Sequence, residues 1–208
     1  MLAKDSLSWV VTVVILTGIF LIAAFLTGID LVWYLFYFFL FLTIFVTWFF
    51  RDPDRTTKIC DHCMFSAADG RVIDVSGQRI CVFMNVHNVH VNRAPISGVV
   101  KSITHKKGGY LPAFHKDSER NERTVTVLKS SHGDVNVTQI AGVLVRRIVS
   151  YVNVGDELVN GEKIGMIRFG SRVDVTIPDD FDITCKVGDR VYAGETIIAK
   201  EKNFKVRK

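Results

Sequence analysis

The chain has 208 residues, 49% of them hydrophobic, with a formal net charge of +5 and a pI near 9.1. That length accommodates one compact domain and an appendage, and the crowding of apolar residues into the first fifty positions excludes an ordinary water-soluble globule for that part. The basic balance fits a domain held against an anionic lipid surface, where juxtamembrane cations each contribute about 1 kcal/mol, and no nucleic-acid partner is expected.

From Trp9 to Ile29 the sequence carries no charge, and after Asp30 the stretch from Leu31 to Phe50 carries none either. Each is long enough to cross a bilayer as a helix, so residues 1–50 are expected to form a two-helix membrane anchor. A cleaved signal peptide would have a single, shorter apolar region followed by small residues at a cleavage site, which does not fit. Gly28, Ile29 and Asp30 leave almost nothing between the segments, so a hairpin buried in one leaflet and a pair of true spans both stay open. Lys4 precedes the first segment and Arg51, Arg55 and Lys58 follow the second, whereas the connecting turn offers only Asp30. Both ends, and with them the rest of the chain, are therefore expected on the cytoplasmic face of the cell membrane.

Pro53 and its charged neighbours in Arg51-Asp-Pro-Asp-Arg55 end the second helix, and residues 51–208 read as a β-rich domain. Alternating runs predict strands over 72–75, 80–85, 99–104, 124–129, 135–140, 163–169 and 173–177. Val154-Gly-Asp-Glu-Leu-Val-Asn-Gly-Glu-Lys-Ile164 aligns without a gap on Val187-Gly-Asp-Arg-Val-Tyr-Ala-Gly-Glu-Thr-Ile197. Ala68-Asp-Gly-Arg-Val72 and Pro95-Ile-Ser-Gly-Val99 form a second pair of echoes, each a glycine turn leading into a β-branched run. Together they predict a mainly β, sandwich-like domain with an internal repeat, similar in architecture to biotinyl and lipoyl carrier domains. The lysine hairpin that such carriers use as acceptor is absent. Cys60, Cys63, Cys81 and Cys185 are expected as free thiols in a reducing compartment. Cys60-Asp-His62-Cys63 has the spacing of half a zinc site with nothing to complete it, so no metal is expected.

Three local sequences could carry chemistry: Ala68-Asp69-Gly70-Arg71, Asn85-Val-His87-Asn-Val-His90-Val-Asn-Arg93-Ala-Pro95, and Arg168-Phe169-Gly170-Ser171-Arg172-Val-Asp174. Singly, each has a plain reading. Asp-Gly and Gly-Ser are common turn dipeptides, and in a regular strand His87 and His90 would point to opposite faces, against a shared metal.

Together, an Asp-Gly turn early in the soluble part, an HxxH with arginine and proline downstream, and a C-terminal Gly-Ser after an apolar strand resemble the phosphatidylserine decarboxylases. The likeness covers the whole chain and is closest to the short bacterial and archaeal branch, which shares the Arg-Phe-Gly-Ser-Arg-Val-Asp form. The longer branch has Leu-Gly-Ser-Thr and Tyr-His-Arg-Val-His where this chain has Phe169-Gly-Ser-Arg172 and Val86-His-Asn-Val-His90. Mechanism therefore carries over more securely than lipid specificity.

The resemblance implies self-cleavage between Gly170 and Ser171 into a β chain (1–170) and an α chain (171–208), with Ser171 becoming a pyruvoyl cofactor. Ser171 would be the nucleophile, His90 its base, Asp69 the partner orienting that base, and His87 the acid that protonates the decarboxylated carbon. The pyruvoyl ketone would serve as electron sink for decarboxylation of a serine phospholipid, diester or archaeal ether lipid, to its ethanolamine counterpart. Arg93 and His105 are candidates for the phosphate, and Phe114 and His115, in the loop from Gly108 to Lys116, for lipid contact. His62, His132 and the run from Lys200 to Lys208 read as solvated surface, and a homodimer is left open. Two other classes compete: a membrane-tethered carrier or binding module that never cuts itself, and a membrane serine hydrolase in which Ser171 stays a serine.

Overall fold

The computed structural model describes residues 1–58, 60, 62–109, 121–142, 147–168 and 171–202. Two compact units make up the chain, Met1–Asp54 and Arg55–Lys208.

In the first unit the uncharged runs form α1 (Leu7–Thr27) and α2 (Asp30–Phe49). The reversal between them depends on Gly28, which takes φ 64° and donates its N–H to the Ala24 carbonyl at 3.0 Å. A left-handed residue at that position is what ends a helix and turns the chain, and glycine adopts it without steric penalty. The helices pair through the Thr17 and Thr43 hydroxyls, 2.8 Å apart, and through stacking of Phe20 on Phe39 at 4.9 Å. Ile22, Phe25, Leu26, Phe38 and Phe41 remain exposed, so the pair is apolar all round. Both helices are long and apolar enough to cross a membrane.

The described residues of the second unit form short strands. In chain order these are β1 (Cys63–Phe65), β2 (Gly70–Ser76), β3 (Arg79–Met84), β4 (Val91–Arg93), β5 (Gly98–Lys106), β6 (Arg123–Ser130) and β7 (Gly133–Ile140). They continue as β8 (Ile148–Ser150), β9 (Glu157–Leu158), β10 (Lys163–Ile167), β11 (Ser171–Thr176), β12 (Phe181–Ile183), β13 (Arg190–Val191) and β14 (Ile197–Glu201). Eight build one curled antiparallel sheet in the order β13-β2-β3-β11-β7-β6-β5-β9. Two three-stranded sheets, β1-β14-β12 and β4-β10-β8, complete the unit. Alternation fixes the faces of the large sheet: Val173 and Val175 join Ile80, Val82, Met84, Val135, Val137 and Leu128 in one buried core.

The repeated sequence is a repeated structure. β13 closes one edge of the large sheet against β2, with Val191 opposite Gly70, and β9 closes the other edge against β5, with Leu158 opposite Gly98. Backbone bonds match pair for pair: Gly188 N–H to Val72 O and Val72 N–H to Asp189 O on one side, Gly155 N–H to Val100 O and Val100 N–H to Asp156 O on the other. Each copy then sends its last strand into a small sheet, β14 against β1 and β10 against β4.

Two sequence expectations need correction. Cys60 and Cys63 are joined in a disulfide, their Cα atoms 5.4 Å apart, while Cys81 and Cys185 are free. The two cysteines are three positions apart in sequence, and an argument from compartment alone does not register that closeness. His62 and His132 are not simply solvated: their Nδ1 atoms meet Glu201 at 2.5 Å and Asp180 at 2.6 Å. Glu201 lies on β14, and Asp180 in the turn that leads into β12.

Candidate active site

Three strand ends meet at one place. β11 begins at Ser171, which lies directly opposite Met84, the last residue of β3. On the other side of β3, β2 begins at Gly70, so that Asp69 precedes the same edge. Gly70 is obligatory here: a Cβ at that position would sit 2.1 Å from the Phe83 carbonyl oxygen. The next link explains why the histidines belong to this edge. β3 and β11 are neighbours in the large sheet, and β4 and β10 are neighbours in a small one. The connections between these sheets, residues 85–90 and residues 168–170, therefore join the same two pairs of strands. The first carries His87 and His90, and the second is the segment before Ser171.

Residues 85–88 form a turn held by Asn85 and Asn88, with the Asn88 N–H on the Asn85 carbonyl and the Asn85 N–H on Asn88 Oδ1. This turn points His87 outward and sends His90 inward, where it is fully buried. His90 Nδ1 lies 2.9 Å from the Asn88 carbonyl, to which only an N–H can donate. Neutral His90 is thereby fixed with its proton on Nδ1 and a lone pair on Nε2, the form required of a base. Its own carbonyl accepts the Ile167 N–H, tying it to the end of β10.

Asp69 is also buried, but its carboxylate is committed elsewhere. Arg55 clamps it through Nη1 to Oδ1 at 2.5 Å and Nη2 to Oδ2 at 2.8 Å, and the Ala193 N–H donates to Oδ1 at 2.8 Å. Among the described residues no hydrogen bond joins Asp69 to His90; a backbone carbonyl takes the place beside the imidazole that the sequence assigned to the carboxylate. Ser171 is fully buried, and its Oγ has no hydrogen-bond partner among the described residues. A buried hydroxyl left so is poorly explained by structure, where it would be satisfied. Gly170 lies outside the described residues.

A match to known proteins covers the same region. The family model for phosphatidylserine decarboxylase matches residues 42–199, from the end of α2 to β14. The chain belongs to the phosphatidylserine decarboxylase family. Members of this family are carboxy-lyases, and this chain is one. It is 90% identical over 208 residues, all of both chains, to a Methanococcoides burtonii protein provisionally named archaetidylserine decarboxylase proenzyme. A Methanosarcina acetivorans protein with the same provisional name is 54% identical over 204 residues, 98% of each chain. A Thermobifida fusca phosphatidylserine decarboxylase proenzyme is 52% identical over 161 residues, 75% of this chain and 73% of that one.

The other residues expected to serve a phosphatidylserine decarboxylase fall in different places. Arg93 is buried and donates to the Gly161 carbonyl at 2.9 Å, inside the turn that closes one repeat. His105 sits on β5, which β6 and β7 separate from β11, with Nδ1 3.1 Å from Thr124 Oγ1 and Nε2 3.5 Å from Glu122. Phe114 and His115 lie outside the described residues. On the face of β11 away from Ser171, Arg172 grips Asp174 at 2.6 and 2.7 Å and reaches Cys81 Sγ at 3.1 Å. Burial first, and then the Asp174 charge, push the Cys81 thiol up to about 12. Burial opposes the charge on Arg172, but the bonds and charge of Asp174 outweigh it and raise its pKa. Among the described residues His132, Asp180 and Glu201 could take a cation, their ligand atoms lying within 4.8 Å of one another. They lie toward the Thr176 end of β11, opposite the Ser171 end.

Three residues at the site went unread in the sequence. Arg55 passed as a topology-setting charge, Asn92 stood unremarked inside the histidine motif, and Gln139 sat in an ordinary strand. Only Asn92 carried a usable signal, since an amide two residues from His90 shares its face on an extended chain.

Proposed function

We propose that this chain is the proenzyme of a pyruvoyl-dependent serine-phospholipid decarboxylase that cuts itself between Gly170 and Ser171. The observation that supports the reading is the buried Ser171 hydroxyl, without a hydrogen-bond partner among the described residues, at the start of β11 and opposite Met84, the residue that leads into the turn bearing His87 and His90. His90, with its lone pair on Nε2, removes the Ser171 proton. The hydroxyl oxygen adds to the Gly170 carbonyl, the C–N bond breaks, and the freed amine takes a proton, leaving an ester. Elimination across Cα and Cβ of Ser171 releases the Gly170 carboxylate and leaves dehydroalanine, which tautomerises and is hydrolysed to pyruvoyl and ammonia. Asp69 serves His90 indirectly, by fixing with Arg55 the strand end beside the histidine turn.

The pyruvoyl group supplies an electron sink for the departing carbon dioxide. His87, exposed on the turn, is the proton donor that the product carbon requires. The apolar hairpin keeps the chain at the cytoplasmic face of a membrane, where the lipid head group lies. Relatives matched over the full chain are named for archaetidylserine, which favours an ether-lipid substrate with the same serine head group. The test is intact mass of the detergent-purified chain and of Ser171→Ala, with carbon dioxide release from archaetidylserine vesicles. Two fragments meeting at 170/171, the smaller lacking a free amine, together with an uncut variant, are expected. A wild-type chain that stays whole in lipid sinks the mechanism and favours a carrier or a hydrolase.

A further inference from the structure

Two buried side-chain amides lie against Met84, the residue opposite Ser171, and nothing in the cleavage scheme uses them. Asn92 and Gln139 are 0% and 1% exposed, and Gln139 Nε2 donates to Asn92 Oδ1 at 2.8 Å. Asn92 Nδ2 in turn donates to the sulfur of Met84 at 3.4 Å, and Met84 is the residue directly opposite Ser171. Directly opposed residues in an antiparallel pair send their side chains to the same face, about 5 Å apart at Cα. Gln139 faces Val173, the next residue of β11 on that face. Space for the amides exists because Asn92 pairs with Gly165, where a Cβ would meet Val149 O at 2.5 Å and Gln139 Nε2 at 3.1 Å.

The internal repeat supplies a control within the same molecule. In the copy without a cleavage site, β1 runs Cys63-Met64-Phe65, apolar throughout and buried, where β4 runs Val91-Asn92-Arg93. The counterpart of Gly165, thirty-three positions on by the repeat, is the buried Ile198. The architecture is therefore satisfied by hydrocarbon at the positions of Asn92 and Gly165, and of the two strands β1 and β4 only the one in the copy that abuts Ser171 carries an amide there. A thioether is also a weak acceptor, so the Asn92 N–H bonded to it exchanges that bond for one to a charged oxygen at a gain.

We infer that Asn92 donates this N–H to the oxyanion formed when Ser171 attacks the preceding carbonyl, and that Gln139 holds the Asn92 amide in the orientation to do so. The inference rests on the self-cleavage proposed above. As the Oγ–C bond forms and the Oγ proton passes to His90, the carbonyl electron pair moves onto oxygen and is held there. Its return expels the amine nitrogen.

The experiment follows self-cleavage of newly synthesised full-length chain in detergent, alongside its thermal unfolding. In Asn92→Leu/Gln139→Leu both amides give way to hydrocarbon of similar size, which leaves no orphaned partner. Its midpoint is expected close to wild type and its cleavage about 100-fold slower, the loss typical of one oxyanion donor. Asn92→Asp keeps the acceptor for Gln139 but lacks the donor, and gives the same slowing should the double variant fail to fold. Met84→Leu removes the competing sulfur and cuts at least as fast as wild type. Folded Asn92 variants cutting at the wild-type rate overturn the inference while leaving self-cleavage intact; so does a Met84→Leu chain as slow as Asn92→Asp, which makes the amide a structural strut. An uncut wild-type chain instead removes the reading on which the inference rests.

Discussion

Breaking the Arg55–Asp69 clamp should destabilise the second unit far more than a surface ion pair would. Their side chains are 6% and 5% exposed, and the guanidinium donates twice to Asp69 and once to the Ala193 carbonyl. Arg55→Met leaves a buried carboxylate with, among the described residues, only the Ala193 N–H, and Asp69→Asn leaves a buried cation facing an amide. Removing one member of such a pair costs about 3–5 kcal/mol. The double variant should cost little more than either single one, giving a coupling of about 3 kcal/mol. The cycle is best run in a Ser171→Ala background, so that one covalent species is unfolded, with urea and pulse proteolysis as the readout. Tryptophan fluorescence would mislead, because Trp9, Trp33 and Trp48 all lie in the helical unit. Single variants each costing under about 1 kcal/mol, with an additive double, would show a screened surface contact and refute the reasoning.

His90→Gln should leave the chain uncut, whereas His87→Gln should cut normally and lose about 10²–10⁴-fold in decarboxylation, measured by gel and by carbon dioxide release; equal effects on both steps would erase the division of labour. Gly70→Ala, with φ 157° and a backbone oxygen 2.1 Å from the added carbon, should cost about 3 kcal/mol or more and yield aggregated precursor. Gly28→Ala, which meets nothing within 4 Å, should cost only about 1 kcal/mol, to be read from the thermal midpoint. Cys81, pushed up from 9.0 to about 12, should resist iodoacetamide at pH 8 until the chain is unfolded. Because its folded value is raised, the stability it contributes is complete below pH 9 and is lost as pH rises toward 12, which alkaline denaturation would reveal.

The longer strands were legible because each alternates against a single core: the runs predicted at 72–75, 80–85, 124–129 and 135–140 lie within a residue or two of β2, β3, β6 and β7. Strands such as β9 and β13 are two residues long, below any periodicity, and only the Gly-Asp echo betrayed them. Local motifs exposed Asp69, His87, His90 and Ser171 as candidates, but not their partners. Arg55 reaches Asp69 across fourteen residues and Ala193 across more than a hundred, and no local pattern encodes such contacts. The amide pair was hidden for the same reason, since Asn92 and Gln139 meet only once β7 and β4 face each other. The expectation for His62 and His132 went astray because their carboxylate partners arrive from the far end of the sequence.

The position of β11 has a consequence for the life of the molecule after the proposed cut. The smaller fragment of the proposed cut would begin in the interior of the large sheet, between β3 and β7, and would also supply β13 to its edge and β14 to the strand β1. Such a fragment is woven through its partner, not docked on it, and the two could part only by unravelling the sheet. On the proposed cut the processed enzyme would be a noncovalent pair with the persistence of a single chain, its new terminus buried at the start of β11.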